Sequence, residues 1–172
     1  MKYLKTYEAL KGIMFKDWLK KHPRSLDATE FYCGGQNLIN LDGIQDFKNI
    51  EYLYCPNNQL TNLNLEGLDK LEYLSCRNNK LTSLKLEGLD KLEYLYCFNN
   101  QLTSLNLEGL DKLEYLDCEN NQLTFLDLEG LDKLEILICY NNQLPYGNLE
   151  TYWKWYEKEY PDRWEAMKFN LM

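Results

Sequence analysis

The chain is short of the residues that most catalytic chemistry needs. Histidine occurs once, as His22, and proline four times in 172 residues. No nucleophile stands near His22 in the sequence, so no histidine-based acid–base pair is visible. Six cysteines are present, but none forms a C-x-x-C pair and none has a histidine beside it, which argues against a zinc site. Positive charge is also scarce: 19 Lys and Arg stand against 27 Asp and Glu, giving a formal net charge of -8. Such a chain is a poor candidate for gripping nucleic acid, where affinity comes from neutralising phosphates. Residues 1–10 lack the unbroken apolar core of a secretion signal. What is present, 45% hydrophobic and 27% charged residues, is ordinary for one globular domain and excludes a disordered, collagenous or membrane-spanning chain.

A repeat dominates the sequence. Residues 68–88 read LDKLEYLSCRNNKLTSLKLEG, 89–109 read LDKLEYLYCFNNQLTSLNLEG, and 110–130 read LDKLEYLDCENNQLTFLDLEG. The preceding copy, 47–67, is FKNIEYLYCPNNQLTNLNLEG; the following one opens LDKLEILICYNNQL and departs at Pro145. Cys55, Cys76, Cys97, Cys118 and Cys139 are each 21 residues apart, and Cys33 lies 22 before Cys55.

The unit L-x-x-L-x-C-x-x-N-x-L resembles the leucine-rich repeat, over about residues 28–149. The opening turn, L-x-x-L-x-G-I followed by F-K-N-I, is similar to the 22-residue units of bacterial internalin-type proteins, and the 21-residue copies to a common bacterial variant. The resemblance implies a right-handed curved α/β repeat solenoid with a parallel sheet on its concave face. Alternation within each unit points the same way. Leu95 and Cys97 are expected to point inward, with Leu92, Tyr94 and Tyr96 opposite them over a short strand. Leu102, Leu105 and Leu107 return the chain, and Gly109 makes the turn into the next unit. One turn cannot bury its own apolar face, so stacking is obligatory.

Stacking turns positions into columns. The Asn column is Asn58, Asn79, Asn100, Asn121 and Asn142; in the family the matching Asn bonds the loop backbone of neighbouring turns, and an amide suits that task because it both donates and accepts. The Cys column is Cys33, Cys55, Cys76, Cys97, Cys118 and Cys139. In-register cysteines on adjacent parallel strands project the same way, which strains a disulfide, so the column reads as small hydrophobes in a reducing, cytoplasmic compartment rather than as a metal or redox site. The Tyr column is Tyr52, Tyr73, Tyr94 and Tyr115, ending at Ile136. Stacked rings support a sheet and also make a binding surface, and both readings stay open. The Glu column, Glu51, Glu72, Glu93, Glu114 and Glu135, reads as a solvated edge offset by Lys70, Lys91, Lys112 and Lys133.

Differences among near-identical copies carry more functional information. The position before Cys holds Tyr32, Tyr54, Ser75, Tyr96, Asp117 and Ile138. The position after it holds Gly34, Pro56, Arg77, Phe98, Glu119 and Tyr140. Both are expected on the concave face, whereas the convex Glu-Gly-Leu-Asp-Lys run barely changes. Exposed aromatics usually mark an interaction site. The candidate protein-binding residues are therefore Tyr32, Tyr54, Tyr73, Arg77, Tyr94, Tyr96, Phe98, Tyr115, Asp117, Glu119 and Tyr140; cover of Ile138 and Tyr140 by the C-terminal segment is the alternative for those two.

Three units are expected: a helical N-terminal cap over 1–25, about six repeats over 26–150, and a helical C-terminal cap over 151–172. Tyr3, Tyr7, Leu10, Met14 and Trp18 lie at helical spacing, with Gly12 a possible break and Pro23 a stop. Residues 148–160 form a second helical pattern, and Pro161 opens a third whose apolar face is Trp164, Met167 and Phe169. The alternative for Trp153, Trp155 and Trp164 is a binding or dimer contact. Residues 1–25 carry +5, residues 151–172 none, and the repeats -13.

The expected function is a non-catalytic, monomeric protein-binding module for a partner with a basic surface, with no cofactor, metal, nucleic acid or membrane. One alternative is an acidic inhibitor that mimics nucleic acid in a basic enzyme groove; the other is a structural, self-associating solenoid. Some bacterial members of the resembled family carry a ubiquitin-ligase domain with a catalytic cysteine, but the 22 residues after the array contain neither Cys nor His.

Overall fold

The computed structural model describes residues 12–170, with side chains as far as Glu165. Six strands of three residues each, one per turn of the coil, form a single parallel sheet: β1 (Glu30–Tyr32), β2 (Tyr52–Tyr54), β3 (Tyr73–Ser75), β4 (Tyr94–Tyr96), β5 (Tyr115–Asp117) and β6 (Ile136–Ile138). Strand order follows sequence order, and the register is that of the repeat. Tyr73 pairs with Tyr94, Leu74 with Leu95, and Ser75 with Tyr96. The fixed period thus sets the pairing directly: a strand that recurs every 21 residues meets its own copy.

The core is a ladder. Between residues 89 and 109 the chain buries Leu89, Leu92, Leu95, Leu102, Leu105, Leu107 and Cys97, and the neighbouring turns repeat the set. A fully buried leucine stabilises by about 1.5–3 kcal/mol, and these leucines belong to one core cluster that runs through all the turns. Leu92 departs from the expected facing. It is fully buried, because it precedes β4 and sits in a tight turn, its N–H donating to Leu89 O at 2.9 Å. The two-residue alternation holds from Tyr94 to Phe98 and breaks on the side that precedes the strand.

Each turn is closed on the far side by a compact reversal. Glu108 N–H donates to Asn106 Oδ1 at 3.0 Å, Leu110 N–H to Leu107 O at 3.1 Å, and Gly109 adopts φ +83°, a region that glycine enters without steric cost.

The ends of the ladder meet helices. Helix α1 (Phe15–Lys21) begins after Met14, whose backbone is extended, so Met14 lies outside the helix. Gly12 has φ +71° and Ile13 bridges Leu38, which separates α1 from anything before it. Tyr3, Tyr7 and Leu10 lie outside the described residues. Phe15 and Trp18 are buried against Phe31, with ring centroids 5.5 and 6.2 Å away. At the other end, α2 (Leu149–Glu159) starts in a capping box in which Asn148 and Thr151 bond reciprocally. Helix α3 (Pro161–Asn170) follows. Tyr146, Tyr152 and Tyr156 are buried beneath the last turn, and the Tyr146 hydroxyl donates to Leu126 O at 2.9 Å. Trp153, Trp155 and Trp164 are part-buried against the same core. The side chains of Met167 and Phe169 are outside the described set. Among the described residues no helix is long and apolar enough to cross a membrane.

Candidate protein-binding face

Strand alternation places the rings. In each three-residue strand the middle residue, Phe31 in β1 and leucine in β2–β6, points into the core and the two flanking side chains stand on the sheet face. The first row is Tyr52, Tyr73, Tyr94, Tyr115 and Ile136; the second is Tyr32, Tyr54, Ser75, Tyr96, Asp117 and Ile138. The rows join through Tyr96, whose ring lies 5.4 Å from Tyr73 and 4.7 Å from Tyr115, the latter stacked. Tyr52 stacks on Tyr73 at 6.1 Å and Tyr32 meets Tyr54 at 6.0 Å. The ring contacts run unbroken from Tyr52 on β2 to Tyr115 on β5, with the Tyr32–Tyr54 pair as a separate contact.

Exposure across this face is uneven. Tyr32 and Tyr140 are open to solvent at 54% and 49%, Ile136 at 47%, and Tyr54, Tyr73, Tyr94, Tyr96, Phe98, Tyr115, Arg77 and Glu119 are half-buried. Asp117 is an exception among the candidate residues, being only 7% exposed; Ser75, on the same row, is 1% exposed. Both are short side chains between larger ones in the row: Ser75 stands between Tyr54 and Tyr96, and Asp117 between Tyr96 and Ile138. Pro56 is buried as well. Tyr140 is held where the C-terminal segment turns back. Its hydroxyl accepts from Asn148 Nδ2 at 2.6 Å, Ile138 bridges Asn148 in antiparallel sense, and Cys139 N–H donates to Gly147 O at 2.8 Å.

The face is acidic with one central cation. Arg77 is tied down: its Nη2 donates to the Tyr54 hydroxyl at 3.1 Å and its guanidinium lies 5.4 Å from the Phe98 ring. The Tyr94 hydroxyl donates to Glu114 Oε2 at 3.0 Å, which holds the phenol protonated to higher pH. Burial pushes Asp117 up to about 6, with the neighbouring Glu119 carboxylate adding to the rise; the Glu119 N–H and Arg77 pull the other way. Lys70, expected to offset the Glu column, donates to Asn49 Oδ1 at 2.7 Å.

The Asn column supports the face from behind. Asn100 Nδ2 donates to Cys76 O at 3.1 Å and to Cys97 O at 3.0 Å, while its Oδ1 accepts from Leu81 N–H at 3.0 Å. Asn58, Asn79, Asn121 and Asn142 repeat the arrangement. All six cysteines are buried free thiols. Burial pushes Cys33, Cys76 and Cys139 up to about 12, and Cys55, Cys97 and Cys118 well above the ordinary thiol value.

A second asparagine ladder went unread in the sequence. Asn57, Asn78, Asn99, Asn120 and Asn141 all adopt φ between +52° and +55°. Their amides chain along the outside: Asn78 Nδ2 donates to Asn57 Oδ1 at 2.7 Å, and Asn99 to Asn78 at 2.6 Å. The Asn-Asn pair in every copy was the available signal, since Asn tolerates the left-handed region better than other residues with a side chain. Phe125 is also new. It stands where the other copies have Asn62, Ser83 and Ser104, is 57% exposed, and borders a flank cleft of about 630 Å³ with Thr103, Asp111 and Glu129.

Two family models, "Leucine Rich repeats (2 copies)" and "Leucine Rich Repeat", match residues 69–111 and 112–134. No curated protein matches the chain. Among solved structures, a leucine-rich-repeat protein of Leptospira interrogans is 27% identical, over 64% of this chain and 30% of its own, at TM-score 0.56. Internalin C2 of Listeria monocytogenes is 24% identical, over 70% of this chain and 75% of its own, at TM-score 0.52. The functional domain of InlJ from Listeria monocytogenes, which includes a cysteine ladder, is 25% identical, over 73% of this chain and 37% of its own, at TM-score 0.44. The chain spans about a third of the length of the Leptospira and InlJ structures. The chain is a leucine-rich-repeat solenoid, similar to bacterial proteins built on the same repeat.

Proposed function

We propose that the protein is a non-catalytic interaction module that binds a partner protein on its sheet face. The observation that carries the reading is the aromatic surface itself. Tyr32 and Tyr140 are about half exposed, and Tyr54, Tyr96 and Phe98 stand part-exposed between them. Rings of this size left in water are costly for solubility and are the residue types that dominate binding hot spots. They vary from copy to copy, whereas the reversals on the far side keep Glu-Gly-Leu-Asp-Lys nearly unchanged. The rings are also rigid, because each strand is pinned through its leucine and cysteine to the core, so little side-chain entropy is lost on binding. The net charge of -8 favours a partner with a basic surface. Six unbridged cysteines favour a reducing compartment.

The test is affinity capture from lysate of the source cell with the wild-type chain beside Tyr96→Ala/Phe98→Ala. A protein retained by the first and lost from the second supports the reading. Identical recoveries overturn it for this face and turn attention to the exposed rim around Phe125.

A further inference from the structure

We propose that Asp117, walled by Tyr96 and Tyr115 and followed by Glu119, forms a subsite for one arginine side chain of the partner. The inference rests on the sheet face being the binding surface and names the chemistry of its centre.

The geometry is that of a carboxylate without a counter-ion. Asp117 stands on the sheet face of β5, in register with Tyr96 on β4 and Ile138 on β6. It is 7% exposed. Its Oδ1 accepts one long hydrogen bond, from Glu119 N–H at 3.3 Å, and no ion pair of the described residues includes it. The face's cation, Arg77, is two strands away and engaged with Tyr54 and Phe98. A largely desolvated carboxylate held by one weak bond is costly, and a cation brought to it recovers that cost.

Arginine fits better than lysine. The aromatic pair beside the carboxylate favours a weakly hydrated guanidinium over an ammonium, and Asp117 Oδ2, which takes no hydrogen bond from the described residues, accepts one of its N–H donors. Glu119, half-buried and two residues on, supplies a second negative charge on the same side. Other copies do not offer this set. Ser75 and Ile138 stand at the matching positions of β3 and β6, and Tyr54 and Tyr96 at those of β2 and β4. The subsite therefore fixes where along the solenoid an arginine must fall, giving register to a partner that the rings hold.

The probe is the peptide acetyl-Gly-Arg-Gly-amide, compared with its citrulline counterpart, which keeps the shape and loses the charge. Binding is followed by NMR on the Tyr96, Tyr115 and Asp117 signals of the full chain. The expected result is a saturable shift at these residues with the arginine peptide and an affinity at least about tenfold weaker with citrulline. The same loss is expected for the arginine peptide on Asp117→Asn, a substitution that keeps the hydrogen-bond acceptor and, by removing a buried charge, leaves the fold intact. Equal affinities for the two peptides, or an Asp117→Asn chain that binds like wild type, overturn the proposal. If captured protein depends on Tyr96 and Phe98 but not on Asp117, the arginine subsite falls and the protein-binding face stands.

Discussion

Asn100 and Leu81 are joined across a repeat, the amide oxygen of the first accepting the buried backbone N–H of the second at 3.0 Å while the amide nitrogen reaches Cys76 O and Cys97 O. One side chain thereby satisfies polar groups on two turns; alanine strands the buried Leu81 N–H and removes two amide bonds, while Cys76 O and Cys97 O keep those from Asn79 and Asn121. Asn100→Ala is expected to destabilise the chain by about 2–3 kcal/mol, read as a fall in the urea midpoint. Phe98→Ala, which removes a half-buried ring from the face, is expected to cost about 1 kcal/mol or less. Equal losses from the two would show that the ladder is not what binds the turns.

Asn99, next to it, does a different job. Its φ is +52°, its amide nitrogen donates outward to Asn78, and it is exposed. Here the backbone conformation is the constraint. Asn99→Gly is expected to be nearly neutral, and Asn99→Val to cost at least about 1–2 kcal/mol, because a β-branched side chain meets the following carbonyl in the left-handed region. Denaturant titration of the two variants separates this from a loss of the amide chain, which would penalise both alike.

How much of this was readable beforehand follows from which contacts the period controls. Leu95, Cys97 and Asn100 face positions like themselves one repeat away, so repetition alone foretold the sheet register, the buried thiol column and the inner amide ladder. Leu92 was misplaced because the strand is shorter than the alternating pattern. Asp117 and Ser75 are nearly buried although they stand on the face, because each is a short side chain between larger neighbours, Ser75 between Tyr54 and Tyr96 and Asp117 between Tyr96 and Ile138. That is a relation between unlike residues on different strands, and the repeat carries no record of it.

The buried thiols give a direct check on the ladder. Burial and the neighbouring thiols raise Cys97 well above its ordinary value, and it is fully enclosed. Reaction requires a thiolate in contact with solvent. The native chain is therefore expected to leave all six cysteines unmodified by a thiol reagent at pH 8, with the six reacting together once urea passes the unfolding midpoint. Cys97→Ala is expected to be tolerated, at about 1 kcal/mol. Modification of a single cysteine in the folded chain would point to a turn that opens by itself.

Asp117 makes stability depend on pH in an unusual direction. Its ordinary value is 3.8, and burial lifts it to about 6 in the folded chain. The folded state therefore binds a proton that the unfolded state releases between about pH 4 and pH 6, so this group's contribution lowers the unfolding free energy as pH rises through that window. A rise from 3.8 to about 6 corresponds to about 2–3 kcal/mol. The groups that face it, Tyr96 on β4, Tyr115 on its own strand, Ile138 on β6, and Glu119 and Arg77 beyond, include no cation in contact to reverse the sign. Asp117→Asn is expected to match wild type near pH 4 and to exceed it by about 2–3 kcal/mol at pH 7, measured as the difference in urea stability at each pH. The difference removes the titration common to the other carboxylates. A gap independent of pH, or one that widens toward acid, would mean that the carboxylate is paired in the folded chain. An arginine seated in the subsite should act in the same sense as the substitution, narrowing the wild-type deficit at pH 7 while leaving Asp117→Asn unchanged.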